Sequence, residues 1–324
     1  MAKYTCKICG NKNKNRPFVF QEMMFGTRDK FDYFQCGDCG CIQILEVPKN
    51  ISDYYKNNYY SFREIKEKKS NPIKSLVKKQ LLRSIFARNN ILLIFIPQKY
   101  KSSVGFNWQW FRHAKVKPSS KILDVGCGSG LILNHLADYG YKNLLGIDPF
   151  IKKNIHYSNG VLILKKQITD INGNFDFIMF NHSFEHMPDP LAVFKDIYRL
   201  LNNNGKVLIR IPVASCYAWK KYKKNWVQLD PPRHLFIHTP ESINILCKKA
   251  GLKIINIIYD SHNLQFYGSE QYLKGIPLLS NNSYMINPKK SIFSTNKINQ
   301  FDEKTKILNR TRKGDQAAFW IKKV

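Results

Sequence analysis

Three glycines at alternating positions form the clearest candidate for a ligand-binding loop. Gly126, Gly128 and Gly130 lie between a short apolar segment, 122–125, and a segment with helical spacing, 131–139. A strand that runs through such glycines into a helix lets the backbone approach a ligand closely and directs the helix N-terminus at it. The loop therefore predicts a site for a nucleotide-like ligand.

Two carboxylates accompany this loop. Asp124 lies two residues before Gly126, and Asp148 ends the next predicted strand, 22 residues after Gly126. That separation is close to the roughly 20 residues expected for a carboxylate that binds ribose hydroxyls. Dinucleotide sites favour Gly-x-Gly-x-x-Gly, whereas a carboxylate at Asp124 suits a ligand with cationic groups.

Histidines cluster after the fourth and fifth predicted strands. His182, Glu185 and His186 follow the fourth, and Arg233 and His234 follow the fifth. Loops at the carboxyl ends of parallel strands face the ligand, so an imidazole there is placed to remove a proton. The first three residues also match the His-x-x-Glu-His pattern of zinc peptidases. That pattern needs a helix, and because this one lies between a strand and a proline, we exclude a peptidase.

Two Cys-x-x-Cys pairs near the N-terminus predict a metal site. Cys6, Cys9, Cys36 and Cys39 have the spacing of four thiolates around a structural zinc ion that has no open position for chemistry. Without a secretory signal, this spacing indicates metal rather than disulfides. Cys41 is expected not to bind the zinc. Cys127, in the glycine loop, is expected to pack and not to act as a nucleophile, and Cys216 and Cys247 are expected to be core residues.

The segments around these residues alternate between strand and helix patterns. Helices are predicted at 131–139 and 240–250, and a third follows Asp189, an N-cap residue with a proline after it. Such alternation predicts a parallel sheet with helices on both faces. Seven strands are predicted, at 122–125, 144–148, 161–164, 175–180, 207–211, 252–259 and 316–322.

Changes in composition divide the chain into three parts. A zinc ribbon at 1–62 precedes a basic helical connector at 63–117, and the α/β domain occupies 118–324, with a polar, irregular insertion predicted at 262–313. We find no secretory signal and no apolar run near the roughly 20 residues that cross a bilayer. We therefore expect a cytoplasmic protein, and a peripheral position at the inner face of the membrane stays open.

The pattern Asp-x-Gly-x-Gly-x-Gly at 124–130 resembles motif I of the class I S-adenosylmethionine-dependent methyltransferases. Residues 175–178 are similar to the fourth strand of these enzymes, and 183–190 resemble their Leu-Glu-His-x-x-Asp-Pro loop. The resemblance implies a doubly wound, mostly parallel, seven-stranded Rossmann-like sheet and S-adenosylmethionine as cofactor. It implies these cofactor-binding residues: Asp124, Gly126, Cys127, Gly128, Gly130, Asp148, Gln167, Ile168 and Asn181.

Further segments resemble bacterial methyltransferases of sugar and glycan pathways. These are 226–230, 232–235 and 239–251, together with the zinc ribbon and its tyrosine-rich end. The resemblance implies O-methylation of a nucleotide-linked or lipid-linked sugar, or of a surface glycan precursor, as a step of polysaccharide biosynthesis.

An alcohol acceptor must lose its proton during such a reaction, which calls for a base near the methyl group. His186 is the preferred base, His234 is the second choice, and Glu185 is expected to act with them. Two alternatives stay open. Either histidine could have a structural hydrogen-bonding role, and a divalent metal ion could be held by His182, Glu185 and His186.

The net charge of +29 suggests nucleic acid as a partner, but 41 Lys against 11 Arg indicate a biased coding background instead. Segment 63–101 combines basic residues with apolar positions at helical spacing. It predicts an amphipathic helix that packs on its own domain or contacts an anionic membrane. The alternative function is an RNA methyltransferase or an RNA-binding zinc-ribbon protein. Nucleic acid is the less favoured partner, because the Asn-Pro-Pro-Tyr loop of amino-group nucleic-acid methyltransferases is absent.

Overall fold

A computed structural model describes residues 4–55, 65, 110–111 and 113–324 of the chain. The predicted amphipathic helix within 63–101, and the membrane or RNA contact attached to it, lie outside the described residues. None of the helices in the described ranges is long and apolar enough to cross a membrane.

Twelve strands are formed by the described residues, and they belong to two sheets. They are β1 (Arg16–Gln21), β2 (Lys30–Gln35), β3 (Ile42–Ile44), β4 (Lys121–Val125), β5 (Asn143–Ile147), β6 (Ile155–His156), β7 (Leu162–Leu164), β8 (Phe175–Asn181), β9 (Leu201–Pro212), β10 (Phe236–Ile237), β11 (Leu252–Tyr259) and β12 (Gln316–Lys323).

The larger sheet has the strand order β11-β12-β9-β8-β4-β5-β7-β6. Its five central strands, β9-β8-β4-β5-β7, pair in parallel, whereas β6, β11 and β12 pair antiparallel with their neighbours. The seven predicted strands are all present, and the two-residue β6 is an eighth that the sequence did not predict. The parallel core brings the carboxyl ends of β4, β5, β7, β8 and β9 to one edge.

Apolar residues cover both faces of this sheet. Neighbouring residues of one strand belong to different clusters: Ile122 and Phe177 pack in one, Leu123 and Ile178 in the other. Because successive side chains of a strand point to opposite faces, the two clusters lie on the two sides of the sheet. The sheet is therefore doubly wound, as predicted.

The smaller sheet joins the N-terminal module (residues 4–55) to the rest of the chain. Its antiparallel order is β1-β2-β3-β10, so three strands come from the module and the fourth from a distant segment. Apolar residues of the module, such as Phe20 and Ile42, belong to the same cluster as Ile178 of β8. The module therefore shares one apolar core with the larger sheet.

The bounds of six α-helices lie within the described ranges. They are α1 (Leu131–Asp138), α2 (Pro190–Leu200), α3 (Tyr217–Tyr222), α4 (Pro240–Lys249), α5 (Leu264–Leu273) and α6 (Thr295–Arg310). Short 3-10 helices occur at Ile51–Tyr54, Ile168–Asp170, Phe184–His186, Lys223–Asn225, Val227–Leu229 and Pro288–Lys290.

The helix starts follow the capping residues in the sequence. The side chain of Asp189 accepts a hydrogen bond from Ala192 N, with Pro190 in the first turn, which confirms the predicted start of α2. Thr239 caps α4 in the same way, through a capping box with Ser242.

The prediction of an irregular stretch at 262–313 was wrong. The segment forms α5 and α6, with a 3-10 helix between them. The polar residues of α5 that argued against a helix are buried and hydrogen-bonded: Gln271 Nε2 donates to Ser283 Oγ at 3.0 Å, and Ser269 Oγ accepts from Val227 N at 3.0 Å. Hydrogen bonds to residues of other segments therefore stabilise a helix that lacks the amphipathic pattern used to predict helices.

Candidate functional site

The glycine loop connects β4 to α1 and is tied to the neighbouring strand end. Gly126 N donates to Ile147 O at 2.8 Å, at the end of β5. Gly126, Gly128 and Gly130 have φ values of 73°, 56° and 81°, which is the left-handed region that favours glycine. A Cβ added at Gly126 would lie 2.3 Å from the Cβ of Ser183. The loop therefore needs glycine both for its backbone conformation and for its close approach to the loop after β8.

Asp148 links the end of β5 to this loop. Its Oδ2 accepts from Gly128 N and its Oδ1 from Phe150 N, both at 2.9 Å. Each oxygen keeps a second lone pair that a ribose hydroxyl could use. Asp124 is buried below the loop, and burial together with the charge of Asp148 raises its pKa to about 8. Two acidic groups in this position favour a ligand that carries positive charge.

The remaining predicted cofactor residues occupy the same edge. Gln167 and Ile168 follow β7, where Gln167 is exposed and Ile168 is buried. Asn181 ends β8, and its Oδ1 accepts from Arg210 Nη1 at 3.1 Å. The sulfur of Cys127 lies against Gly146, where an added Cβ would be 2.5 Å from it. This contact agrees with a packing role for Cys127.

Two imidazoles from different loops meet beside this edge. The rings of His186 and His234 lie 4.9 Å apart. His186 Nδ1 lies 2.7 Å from Arg233 O, and His234 Nδ1 lies 2.8 Å from Gln228 O. A carbonyl can only accept, so both Nδ1 atoms carry the proton, and both Nε2 atoms keep a lone pair for a proton. Burial lowers the pKa of His186 below 6.5, which keeps the ring neutral near pH 7.

Glu185 lies behind these histidines and is fully buried. His182 Nδ1 lies 3.5 Å and His234 Nε2 lies 3.8 Å from its Oε1, and neither carboxylate oxygen makes a hydrogen bond to another of the described residues. Burial alone would raise its pKa, but the contact with His182 and the charges of His186 and His234 lower it to about 2. The carboxylate is therefore a fixed negative charge that stabilises a proton on either imidazole.

A divalent metal at His182, Glu185 and His186 was an open alternative. Among the described residues, the structure instead groups Glu185 and His186 with His234, with one possible ligand atom of each within 4.8 Å of the others. His182 is outside this group, and its Nε2 lies 2.8 Å from Arg210 Nη1.

A cavity of about 490 Å³ borders the histidines. Its lining combines polar side chains with apolar side chains from the N-terminal module and from the segment after β11. No lysine or arginine of the described residues lines it. The polar lining residues include His182, His186, His234, His262 and Gln228, and the apolar ones include Met24, Phe25, Leu264, Leu278 and Ile286.

Arg233 was expected to face the ligand, but it is fully buried. Its Nη2 donates to Glu22 Oε1 at 2.8 Å and its Nη1 to Tyr54 O at 3.2 Å, while Asp230 also pairs with it.

Two residues of the N-terminal module were not predicted from the sequence. Glu22 contacts Arg233, and Tyr55 contacts His186. The tyrosine-rich end of the module was the available signal, but nothing in the sequence says which loop it contacts.

The four cysteines of the two Cys-x-x-Cys pairs come together in the N-terminal module. The Sγ atoms of Cys6 and Cys39 are 3.6 Å apart, those of Cys9 and Cys36 are 3.5 Å apart, and all four lie within 4.8 Å of one another. Tetrahedral zinc with bonds of about 2.3 Å places its sulfurs roughly 3.8 Å apart. The cluster could therefore hold zinc, and Cys41 is not a member of it.

Comparison with known proteins identifies the family. Residues 95–257, half of the chain, match the sequence model of the methyltransferase domain family. The ubiquinone biosynthesis O-methyltransferase of Pseudomonas aeruginosa (strain UCBPP-PA14) is 28% identical over 171 residues, which cover 48% of this chain and 73% of that protein. The enzyme of the same name from Pseudomonas entomophila (strain L48) is 30% identical over 171 residues, with the same coverage.

Among solved structures, one similar chain is the O-methyltransferase of a trans-AT PKS multienzyme of Brevibacillus brevis in complex with S-adenosyl-L-homocysteine. Its TM-score is 0.42 at 18% identity, covering 75% of this chain and 80% of that one. The chain belongs to the methyltransferase domain family. It is an S-adenosylmethionine-dependent methyltransferase with the Rossmann-like α/β fold.

Proposed function

We propose that the protein transfers a methyl group to a hydroxyl of a small acceptor that binds in the 490 Å³ cavity. The observation that carries this proposal is the pair of imidazoles at the cavity wall, each with Nδ1 tied to a backbone carbonyl. His186 Nε2 removes the hydroxyl proton, and His234 is the alternative base. Glu185 stabilises the imidazolium that results.

Cofactor binding is proposed for the residues at the carboxyl edge of the sheet. When bound, S-adenosylmethionine supplies a methyl group on a sulfonium. Asp148 would hold the ribose, Asp124 would offset the positive charge, and the loop at Gly126 and Gly128 would allow close approach of the backbone. The other members of the proposed set are Cys127, Gly130, Gln167, Ile168 and Asn181.

We also propose that Cys6, Cys9, Cys36 and Cys39 bind a structural zinc ion. Four thiolates leave no open coordination position, so the metal would stabilise the fold and take no part in methyl transfer. Residues 1–62, 63–117 and 118–324 are retained as the proposed parts of the chain.

The acceptor that we propose is a lipid-linked sugar or another hydroxyl compound with an apolar part. The apolar side chains in the lining of the cavity support it, and a nucleotide-linked sugar is less favoured because no lysine or arginine among the described lining residues could bind a diphosphate. The names of the relatives also refer to O-methylation. A cytoplasmic enzyme that meets an anionic membrane through 63–101 fits such an acceptor. RNA stays the alternative.

The test is transfer of radiolabelled methyl from S-adenosylmethionine to three acceptor pools: a bacterial lipid extract, nucleotide sugars and total RNA. We expect label in the lipid extract, and we expect His186→Gln to lower it by about a hundredfold or more, the usual contribution of a general base. His156→Gln is the matched control, because His156 is exposed and lies at the far edge of the sheet. Label found in RNA, or unchanged activity of His186→Gln, would contradict the proposal.

Asp124 should make cofactor binding depend on pH. Its pKa of about 8 means that it is protonated in the free protein at pH 7, and a cationic ligand lowers this pKa. Binding at pH 7 should then release close to one proton, and affinity should rise with pH and level off above about 8. Calorimetry at pH 7 in two buffers of different ionisation enthalpy measures this release. Equal heats in both buffers, or the same release from Asp124→Asn, would rule Asp124 out as its source.

A further inference from the structure

Tyr55, at the end of the N-terminal module, lies between the cofactor edge and the proposed base. Its ring stacks on Phe150, with centroids 5.3 Å apart and planes at 14°. Its hydroxyl lies 3.2 Å from His186 Nδ1. One side chain therefore contacts both the loop after β5 and the histidine after β8.

The position of Tyr55 is set by a buried ion pair. Arg233 and Glu22 are both fully buried and paired at 2.8 Å, and Arg233 Nη1 donates to the carbonyl of Tyr54, the preceding residue. The same Arg233 offers its own carbonyl to His186. A buried, paired guanidinium has little freedom to move. Arg233 therefore fixes the positions of both Tyr55 and His186.

The chemistry of the contact decides which atom donates. Arg233 O can only accept, so His186 Nδ1 carries a proton, and Tyr55 Oη accepts a share of the same N–H. Two acceptors on Nδ1 hold the tautomer in which Nε2 is free to take a proton. They also cover the Nδ1 edge of the ring against water.

The stacked side of Tyr55 acts on the cofactor loop. Phe150 follows Asp148 closely, and its N–H donates to Asp148 Oδ1 at 2.9 Å. Phe150 is more than half exposed, at 54%, and the stacking contact with Tyr55 limits the movement of its ring. Stacked aromatic pairs contribute about 0.5–1.5 kcal/mol beyond the area that they bury.

We propose that Tyr55 is a positioning residue of the methyl-transfer site. Its hydroxyl fixes the tautomer of His186, and its ring stabilises the loop that carries Asp148. The N-terminal module therefore contributes directly to the methyl-transfer site. The inference rests on the proposed function in the use of His186 as the base and of Asp148 as a cofactor-binding residue.

The hydroxyl is tested by NMR of the full chain labelled with ¹⁵N-histidine and saturated with S-adenosylhomocysteine. The His186 signals are assigned by their loss in His186→Gln. We expect the proton on Nδ1 and slow exchange of that proton with water. Tyr55→Phe, which keeps the ring, should exchange about fivefold faster, as expected for a hydrogen bond of about 1 kcal/mol. Tyr54→Phe should match the wild type, because Tyr54 Oη donates to Asp29 Oδ2.

The ring is tested by titration of each variant with S-adenosylhomocysteine. Tyr55→Leu should bind roughly two- to tenfold more weakly, whereas Tyr55→Phe should bind like the wild type. The proposal is overturned if Tyr55→Phe leaves the exchange rate unchanged, if His186 carries its proton on Nε2, or if Tyr55→Leu binds at full strength. If Tyr55→Leu does not fold, the exchange rate of the His186 Nδ1 proton in Tyr55→Phe still tests the proposal. An active His186→Gln variant would contradict the role of His186 as the base but would leave these measurements unaffected.

Discussion

Replacing Cys36 and Cys39 by serine is expected to remove the single zinc ion per chain and to unfold the N-terminal module. The four sulfurs already lie within 4.8 Å of one another, so two serines leave an incomplete and weak site. Structural zinc in small modules contributes about 10–16 kcal/mol of apparent binding free energy at pH 7. Metal analysis should find about one zinc in the wild type and less than roughly a tenth of that in the variant.

The loss of structure should extend beyond the N-terminal module. Strand β10 pairs with β3 of the module, and Tyr33 Oη donates to His234 O at 2.9 Å. Both contacts hold the segment that carries His234, so we expect the thermal transition to fall and methyl transfer to be lost with the zinc. Cys41→Ser is the matched control, since Cys41 is buried nearby but does not belong to the cluster. Full zinc in the double variant, or its loss in Cys41→Ser, would show that the ligands are assigned wrongly.

The parts of the fold that the sequence predicted are those controlled by local physics. The glycine loop was recognisable because its positive φ values exclude other residues, and the start of α2 because Asp189 and Pro190 leave few alternatives. Helix α6 could have been predicted as well. Ser294 caps it, and its buried residues recur at helical spacing: Ile298, Phe301, Thr305 and Leu308.

Contacts between distant segments could not be predicted in this way. Glu22 and Arg233 are 211 positions apart, and nothing local marks either as a fully buried partner of the other. An isolated Glu or Arg in a sequence is usually exposed. The contribution of the N-terminal module to the site therefore becomes visible only when the fold brings Tyr55 against His186.

Gly126→Ala is expected to weaken S-adenosylmethionine binding by about a hundredfold or more, because an error of about 1 Å in a precise site has effects of this size. The added Cβ would lie 2.3 Å from the Cβ of Ser183. Ser183 cannot move away easily, because it is buried and its Oγ donates to Val125 O at 2.6 Å. The glycine loop must therefore shift, and with it Gly128, whose N–H contacts Asp148. Calorimetric titration of each variant measures the effect.

Gly160→Ala separates this collision from backbone strain. Gly160 also has a positive φ, 86°, but an added Cβ there would meet nothing within 4 Å. Both variants carry the left-handed cost of about 1–2 kcal/mol, so both should be less stable, while only Gly126→Ala should lose the cofactor. Ser183→Gly removes the colliding atom and should restore part of the binding when it is combined with Gly126→Ala. Equal binding by Gly126→Ala and Gly160→Ala would mean that the cofactor does not depend on this approach of the two loops.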